Sequence, residues 1–190
     1  MTRRTIAAVL ATAAAGLLAA CGSDGSPAPG AGANGAAGTA AAEPSAARSD
    51  APPMGPSLPD VSVQDLAGGT LSVADLADGD KPVLVWFWAP HCPYCNAEAK
   101  DVEKFAKAHR DAVRVVGLGT QDSVEEAHAF VREHGLNTPQ MLYDASFASW
   151  QQLGIRGQPA AMLFDRDGVA RGQWFGPFDE QQVLDIAARI

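Results

Sequence analysis

The chain has 190 residues, of which 47% are hydrophobic and 19% charged, so its composition allows a folded core and excludes wholesale disorder. Its 14 Lys and Arg residues against 22 Asp and Glu residues give a net charge of −8, which makes nucleic acid and anionic lipid poor electrostatic partners. Three cysteines are too few for a disulfide-stapled scaffold or for a zinc site built from four cysteines.

Residues 1–20 have the pattern of an export signal. Arg3 and Arg4 precede an apolar run of about fifteen residues, which fits a signal peptide and is shorter than the roughly 20 residues of a membrane-spanning helix. The run ends in Leu-Ala-Ala-Cys21, which resembles the lipobox of a bacterial lipoprotein. This resemblance implies cleavage before Cys21 and attachment of lipid to it, whereas the alternative is an ordinary secretory signal with an incidental cysteine. We therefore expect the protein at the extracytoplasmic face of the bacterial cell membrane, held by its lipid anchor alone.

Residues 21–57 are rich in Ala, Gly, Ser and Pro and show no helical or strand periodicity. Such a segment cannot bury enough apolar surface to offset the entropy of an ordered backbone. It predicts a disordered tether with a root-mean-square span of roughly 30–36 Å.

Residues 58–190 predict one α/β domain, because segments with strand and helix patterns alternate along the chain. The run at 83–88 is continuously apolar between two prolines, as expected of a central strand covered on both faces. Asp144 is predicted to cap a helix. The predicted strands are 61–63 and 70–72, which form a leading hairpin, then 83–88, 113–118, 141–143, 160–164 and 169–175; the predicted helices are 92–109, 123–134, 144–153 and 179–190.

The motif Cys92-Pro93-Tyr94-Cys95 lies where the strand at 83–88 gives way to a helix. A helix N-terminus offers unpaired N–H groups and a positive dipole end, which stabilise a thiolate and lower a cysteine pKa. We expect Cys92 to be the exposed nucleophile and the more buried Cys95 to resolve mixed disulfides. Pro93 suits the first helical turn because it lacks an N–H group.

Two other interpretations of the cysteine pair remain open. An inert structural disulfide would close a very small loop and so remove little entropy from the unfolded chain. A copper or haem site using the cysteines as soft ligands would need a third ligand nearby, for which only His91 qualifies. The sequence has no second C-x-x-C motif, and we predict neither a metal nor a cofactor.

Four sequence segments together resemble the thioredoxin superfamily, in particular its extracytoplasmic TlpA/ResA/DsbE branch and the actinobacterial DsbE/DsbF-like lipoproteins. The resemblance implies a thioredoxin fold with an N-terminal β-hairpin extension and a central insert around residues 120–145. The segments are VWFWAPHCPYCNAE at 85–98, VVGL at 115–118, LGIRGQP at 153–159 and LFDRDG at 163–168.

The resemblance also implies roles for residues outside the cysteine motif. The Gln158–Pro159 bond would be cis and face the cysteines, and the Gln158 backbone would pair with the substrate chain. Glu98 matches a glutamate that moves protons at the second cysteine, and its i, i+3 spacing from Cys95 supports this independently. The alternative for Glu98 is a solvated carboxylate on the helix paired with a nearby lysine such as Lys100 or Lys104.

Two departures from the family pattern bear on redox chemistry. Trp86 occupies the position at which many thioredoxins have a buried acid, and His91 stands where many relatives have tryptophan. A protonated His91 would stabilise the Cys92 thiolate and make the disulfide more oxidising, unless His91 is simply an exposed loop residue. The Pro93-Tyr94 dipeptide favours the same direction.

The sequence thus predicts an extracytoplasmic thiol–disulfide oxidoreductase that acts on exported cysteine-containing proteins. A membrane redox partner would recycle the Cys92–Cys95 pair. We favour oxidation or isomerisation of substrates; the alternatives are reduction of apocytochrome c during its maturation and, in a different class, binding of copper or haem.

Overall fold

The computed structural model describes residues 55–190. The predicted signal peptide, the lipidation site at Cys21 and nearly all of the predicted tether therefore lie outside the described residues. Pro56 and Ser57 are already hydrogen-bonded backbone, because the Ala170 N–H donates to the Pro56 carbonyl at 3.0 Å and Ser57 bridges to Val169.

A seven-stranded mixed sheet forms the centre of the domain, in the order β2-β1-β5-β4-β3-β6-β7. Strands β3, β4 and β5 run parallel, and the remaining neighbours pair antiparallel. This mixed α/β sheet confirms the predicted thioredoxin fold. The elements are β1 Ser62–Asp65, β2 Thr70–Ser72, a 3₁₀ turn at Val73–Ala77, β3 Val83–Trp88, α1 Pro93–Ala108, β4 Arg114–Thr120, α2 Val124–His134, β5 Gln140–Asp144, α3 Ala148–Gln152, β6 Ala160–Phe164, β7 Ala170–Phe175 and α4 Glu180–Ala187.

Strand β3 separates two halves of the core, and all six of its side chains are buried. Trp86 and Trp88 point to the half that contains helix α1 and Phe130 of α2. Phe87 points to the opposite half, where it meets the ring of Trp150 edge-on at 5.4 Å. The alternation of side chains along a strand places successive residues on opposite faces, so a run that is apolar at every position is covered on both sides.

Two glycines in β4 make room for the Trp88 indole. A Cβ atom on Gly119 would lie 2.6 Å from the Trp88 ring, and one on Gly117 would lie 2.6 Å from Met141. The indole stacks on Phe130 with ring centroids 4.4 Å apart. Residues 117 and 119 are thus glycine because large side chains from neighbouring elements occupy the space above them.

The helix ends follow their sequence signals in two cases and depart from them in one. Ser123 and Glu126 form a capping box at the start of α2, and Asp179 caps α4. The prediction that Asp144 caps α3 is wrong, because β5 extends through Asp144 and α3 begins only after Phe147. The Asp144 carboxylate instead accepts hydrogen bonds from Ser146 and Ser149 and thereby pins the turn between the two elements.

Candidate active site

Cys92 and Cys95 form a disulfide at the start of α1, with Cα atoms 5.2 Å apart. Cys92 is the N-cap residue, and its Sγ accepts the Cys95 N–H at 3.1 Å. Pro93 is the first residue of the helix. The sulfur of Cys92 therefore lies at the end of the helix where unpaired N–H groups and the positive dipole favour a negative charge.

The two cysteines differ less in exposure than the sequence predicts. Cys95 is fully buried, whereas Cys92 keeps 4% of its surface accessible. The expectation that Cys92 is exposed is wrong for the disulfide form, because its side chain folds back onto the helix N-terminus and joins the core cluster beside Ala89. Of the two cysteines, only Cys92 has any accessible surface.

Asn96 ties the cysteine loop to helix α2. Its side-chain amide donates to the carbonyl oxygens of Pro90 and Cys92 at 3.1 and 2.8 Å, and its Oδ1 accepts from His134 Nε2 at 2.8 Å. The sequence motifs do not predict this role for Asn96 or His134. The available signal is a polar amide four residues after a helix N-cap cysteine, which places it beside the carbonyl of that cysteine.

Glu98 lies one turn into α1 and is partly buried. Its Oε1 accepts a hydrogen bond from the Trp86 indole, whereas its Oε2 is buried without a partner. Burial raises the pKa of Glu98, and the nearby Asp101 carboxylate adds to this rise, while the Trp86 hydrogen bond opposes it. Lys104 pairs with Asp101 at 2.8 Å, so the predicted alternative of a Glu98–Lys104 pair is not formed.

The Gln158–Pro159 peptide bond is cis. These two residues line an open cleft of about 460 Å³ together with Tyr94 and Phe175. Tyr94 and Phe175 are the large hydrophobic residues with the greatest exposure in the described part of the chain, at 75% and 70%. The cleft thus offers apolar surface to a ligand beside the cysteine loop.

His91 is held by an aspartate that no sequence motif points to. The Asp122 Oδ2 lies 2.6 Å from His91 Nδ1 and accepts the His91 backbone N–H at 3.0 Å. On the other side of the ring, Gln158 Nε2 lies 3.3 Å from His91 Nε2. His91 is therefore not a free loop residue, and the Asp122 carboxylate compensates the charge that an imidazolium would bring to Cys92.

Within residues 55–190, no three His, Cys, Asp or Glu side chains are grouped closely enough to hold a metal ion. In the same residues, no helix is both long and apolar enough to cross a membrane.

The sheet topology, the cysteine pair at the start of α1 and the neighbouring cis proline define a thioredoxin-fold protein with a C-x-x-C disulfide. The chain belongs to the AhpC/TSA family, whose sequence profile matches residues 54–173.

Curated relatives include the soluble secreted antigen MPT53 of Mycobacterium tuberculosis, which is 38% identical over 90 residues, or 47% of this chain and 51% of the antigen. The thiol:disulfide interchange protein DsbE of Vibrio cholerae is 30% identical over 138 residues, which cover 72% of this chain and 73% of DsbE. With MPT53 the match spans only about half the length of the relative, and with DsbE of Allochromatium vinosum it spans 60%.

Solved structures show the same fold. A secreted Mycobacterium tuberculosis disulfide oxidoreductase homologous to Escherichia coli DsbE superposes with a TM-score of 0.57 at 30% identity, over 69% of this chain and 96% of that one. Mycobacterium tuberculosis dsbF superposes with a TM-score of 0.61 at 28% identity, over 71% of this chain and 98% of that one.

Proposed function

We propose that the protein is a thiol–disulfide oxidoreductase that exchanges its Cys92–Cys95 disulfide with cysteines of other proteins. The observation that carries this proposal is the disulfide at the N-terminus of α1, in which Cys95 is fully buried and Cys92 keeps 4% of its surface accessible. A purely structural disulfide that closes so short a loop would add little stability, because it removes little entropy from the unfolded chain. Disulfide exchange needs one sulfur that a substrate can reach and a second that resolves the mixed disulfide. The relatives named as interchange proteins and disulfide oxidoreductases support the same activity.

The exchange proceeds through a mixed disulfide. A substrate thiolate attacks Cys92 Sγ, the Cys92–Cys95 bond breaks, and its electron pair passes to Cys95 Sγ. In the reverse direction Cys95 must lose its proton before it attacks the mixed disulfide. Glu98, whose unpartnered oxygen is buried on the same helix, is the group that we assign to this proton.

The substrates that we propose are exported proteins presenting cysteines in extended segments. Gln158 and the cis Pro159 border a cleft whose exposed aromatic side chains, Tyr94 and Phe175, would contact apolar groups of a substrate without selecting a sequence. Backbone pairing at Gln158 would fix the register of an extended chain while leaving side-chain choice broad.

For the redox direction we favour oxidation or isomerisation of substrates. The helix N-terminus stabilises the reduced form of Cys92, and Trp86 stands where an opposing buried acid would lie. The Asp122 carboxylate, however, offsets the positive charge that a protonated His91 would contribute. This contact favours the second candidate, a reductant for apocytochrome c maturation, in which the disulfide is less oxidising.

An equilibrium redox titration in glutathione and dithiothreitol buffers tests both the activity and its direction. We expect one two-electron transition of the Cys92–Cys95 pair at a potential above roughly −220 mV, between thioredoxin at about −270 mV and the strong oxidants at about −120 mV. A potential near or below that of thioredoxin would support the reductant, and failure of the disulfide to exchange with either buffer would contradict the proposed function.

We further propose that residues 1–20 export the chain and that lipid on Cys21 anchors it to the outer side of the membrane. The lipobox-like sequence supports this location, and the relative MPT53 is a secreted protein. Residues 21–57 would then act as a tether that gives the folded domain a reach of roughly 30–36 Å.

A further inference from the structure

The loop that follows β4 is held in an unusual backbone conformation. Gln121 and Asp122 both have positive φ angles, 63° and 54°, although neither is glycine. The Tyr143 hydroxyl lies 2.9 and 2.8 Å from their two carbonyl oxygens and ties the loop to β5. Positive φ angles place both residues in the left-handed region of backbone conformation, which costs free energy for residues other than glycine. Such conformations persist where the surrounding structure holds them, commonly at functional sites.

This conformation presents the Asp122 carboxylate to His91. One oxygen, Oδ2, accepts the His91 backbone N–H and faces its Nδ1, which fixes both the ring and the backbone just before Cys92. A carboxylate can only accept, so Nδ1 carries the hydrogen and Nε2 of the neutral ring keeps its lone pair. That lone pair faces the side-chain amide of Gln158, which precedes the cis proline and itself lines the substrate cleft.

We propose that His91 is the general base that takes the proton from an incoming substrate thiol, and that Asp122 is the positioning residue that holds His91 in the competent tautomer. The inference rests on the proposed thiol–disulfide exchange at Cys92. His91 directly precedes Cys92, the cysteine of the pair that keeps accessible surface, and its side chain is half exposed.

The step balances without any further reactant. The substrate S–H proton moves to His91 Nε2, where it replaces the contact with the Gln158 amide, while the substrate sulfur forms a bond to Cys92 Sγ. The Cys92–Cys95 bond breaks and its electron pair passes to Cys95, so the substrate sulfur is oxidised and Cys95 is reduced to a thiolate. Asp122 then faces the imidazolium that has formed, as the carboxylate does in a Ser-His-Asp triad.

Other charged groups near the ring are present equally in the wild type and in Asp122 variants. Glu126 and Glu133 of α2 line a cavity of about 220 Å³ with His91, and Arg156 lies on the cis-proline side of the cleft. These groups therefore affect the pH dependence of the rate equally in the wild type and in the Asp122 variants. The difference in rate between the wild type and a variant then reports on Asp122 alone.

The test compares two attacking thiols on the oxidised full-length protein by stopped-flow fluorescence. Free cysteine, with a thiol pKa of about 8.5, is mostly protonated at pH 7 and needs a base. Cysteine ethyl ester is an alkyl thiol of lower pKa that is largely ionised at pH 7 and therefore depends far less on a base. Asp122→Asn retains an acceptor for the His91 backbone and tolerates a positive φ, but its amide N–H can donate to Nδ1 and favour the wrong tautomer.

We expect Asp122→Asn and His91→Gln to slow the reaction with cysteine at pH 7 at least tenfold, since general bases contribute about 10²–10⁴-fold. The rate with cysteine ethyl ester should stay within about twofold, and the defect with cysteine should disappear near pH 9.5, where its thiol is ionised. Asp122→Glu should restore part of the rate. Asp111→Asn, which removes the same charge from the exposed turn beyond the far end of α1, should change nothing.

Equal loss with both thiols would mean that Asp122 only maintains the fold, and it would overturn the proposal. A shifted equilibrium potential in Asp122→Asn with unchanged rate ratios would mean that the His91–Asp122 pair tunes the charge at Cys92, which also overturns it. If the wild type reacts with both thiols and the variants match it, the inference alone fails. If the wild type reacts with neither, the proposed function fails as well.

Discussion

Glu98 is subject to opposing effects from its surroundings. Burial and the Asp101 charge favour its neutral form, whereas the Trp86 indole favours the carboxylate by donating a hydrogen bond. The pKa of Glu98 is raised, so burial and the Asp101 charge together outweigh the hydrogen bond from Trp86. The Trp86 indole thus holds the carboxyl group of Glu98 in one orientation.

Glu98→Gln should remove part of the pH dependence of stability. A carboxyl whose pKa is raised by folding binds its proton more tightly in the folded state, so its contribution is fully present below the unfolded pKa of about 4.5 and is lost as pH rises through the folded value. The wild type should therefore lose unfolding free energy across that interval, while Glu98→Gln, which keeps the Trp86 acceptor, should lose less. Urea titrations of the oxidised protein between pH 4 and 8 measure this difference.

Asp111→Asn is the matched control for Glu98→Gln, because Asp111 is exposed. It should reproduce the wild-type slope over the same pH interval. If the unfolding free energy changes with pH by the same amount in the wild type, Glu98→Gln and Asp111→Asn, the proton on Glu98 does not contribute to the stability of the fold.

At the scale of the element, β4 is shaped by the side chains that lie on it. Gly117 and Gly119 leave the space that Met141 and Trp88 occupy, and Trp88 in turn stacks against Phe130 of α2. The Trp88–Phe130 contact thus joins α2 to the last residue of β3, shortly before the cysteine loop. Packing of this density leaves no room for an additional methyl group.

Gly119→Ala should destabilise the domain by about 1–3 kcal/mol, because the new Cβ would meet the Trp88 ring at 2.6 Å. Gly79→Ala is the control, since a Cβ atom added there would have no heavy atom within 4 Å, and it should change stability by less than about 1 kcal/mol. Urea unfolding followed by tryptophan fluorescence compares the two. Equal stability of both variants would show that β4 and Trp88 can separate at little cost.

The sequence predicts those elements whose signals are local. The apolar runs of β3 and β6, the capping box of α2 and the glycine that ends it all depend on neighbouring residues, and they are found where expected. The start of α3 is not predicted, because its N-cap, Phe147, has a positive φ and no capping side chain. Local propensity favours Asp144 as a cap, but pairing with β4 extends β5 through that residue.

The same limit applies to the site. Cys92, Cys95 and the proline at 159 are recognisable because they belong to short motifs. Asp122 is 31 residues from His91, and His134 is 38 residues from Asn96, so only the tertiary fold brings these pairs together. The positive φ angles that orient Asp122 occur without glycine and leave no sequence signal.

At the scale of the whole molecule, the site lies at one edge of the sheet. Strands β3 and β4 are parallel, so the cysteine loop and the Asp122 loop both follow strand ends at this edge. Strand β6 is antiparallel to β3, with Phe87 opposite Ala160, so the cis proline precedes β6 at the same edge. Three chain segments therefore converge there, as ligand sites commonly do at the carboxyl ends of parallel strands.

The proposed anchor predicts how the whole protein distributes between membrane and medium. Changing Cys21 to Ala should release the protein from bacterial membranes or block its processing, because no lipid can then be attached. Fractionation and immunoblotting of cells expressing each form measure this distribution. A variant with both Cys92 and Cys95 changed to Ser but Cys21 intact should remain membrane-bound, and normal processing and retention of Cys21→Ala would contradict the lipoprotein interpretation.

Trapping of mixed disulfides tests the central claim most directly. Cys95→Ser removes the sulfur that resolves the intermediate, so substrate proteins should remain attached to Cys92, whereas Cys92→Ser should trap few or none. The measurement is non-reducing electrophoresis of acid-quenched bacteria that export each variant at equal levels. We predict high-molecular-weight adducts with Cys95→Ser that disappear on reduction. Equal adducts with both variants, or none with Cys95→Ser, would contradict the assignment of Cys92 as the exchanging sulfur.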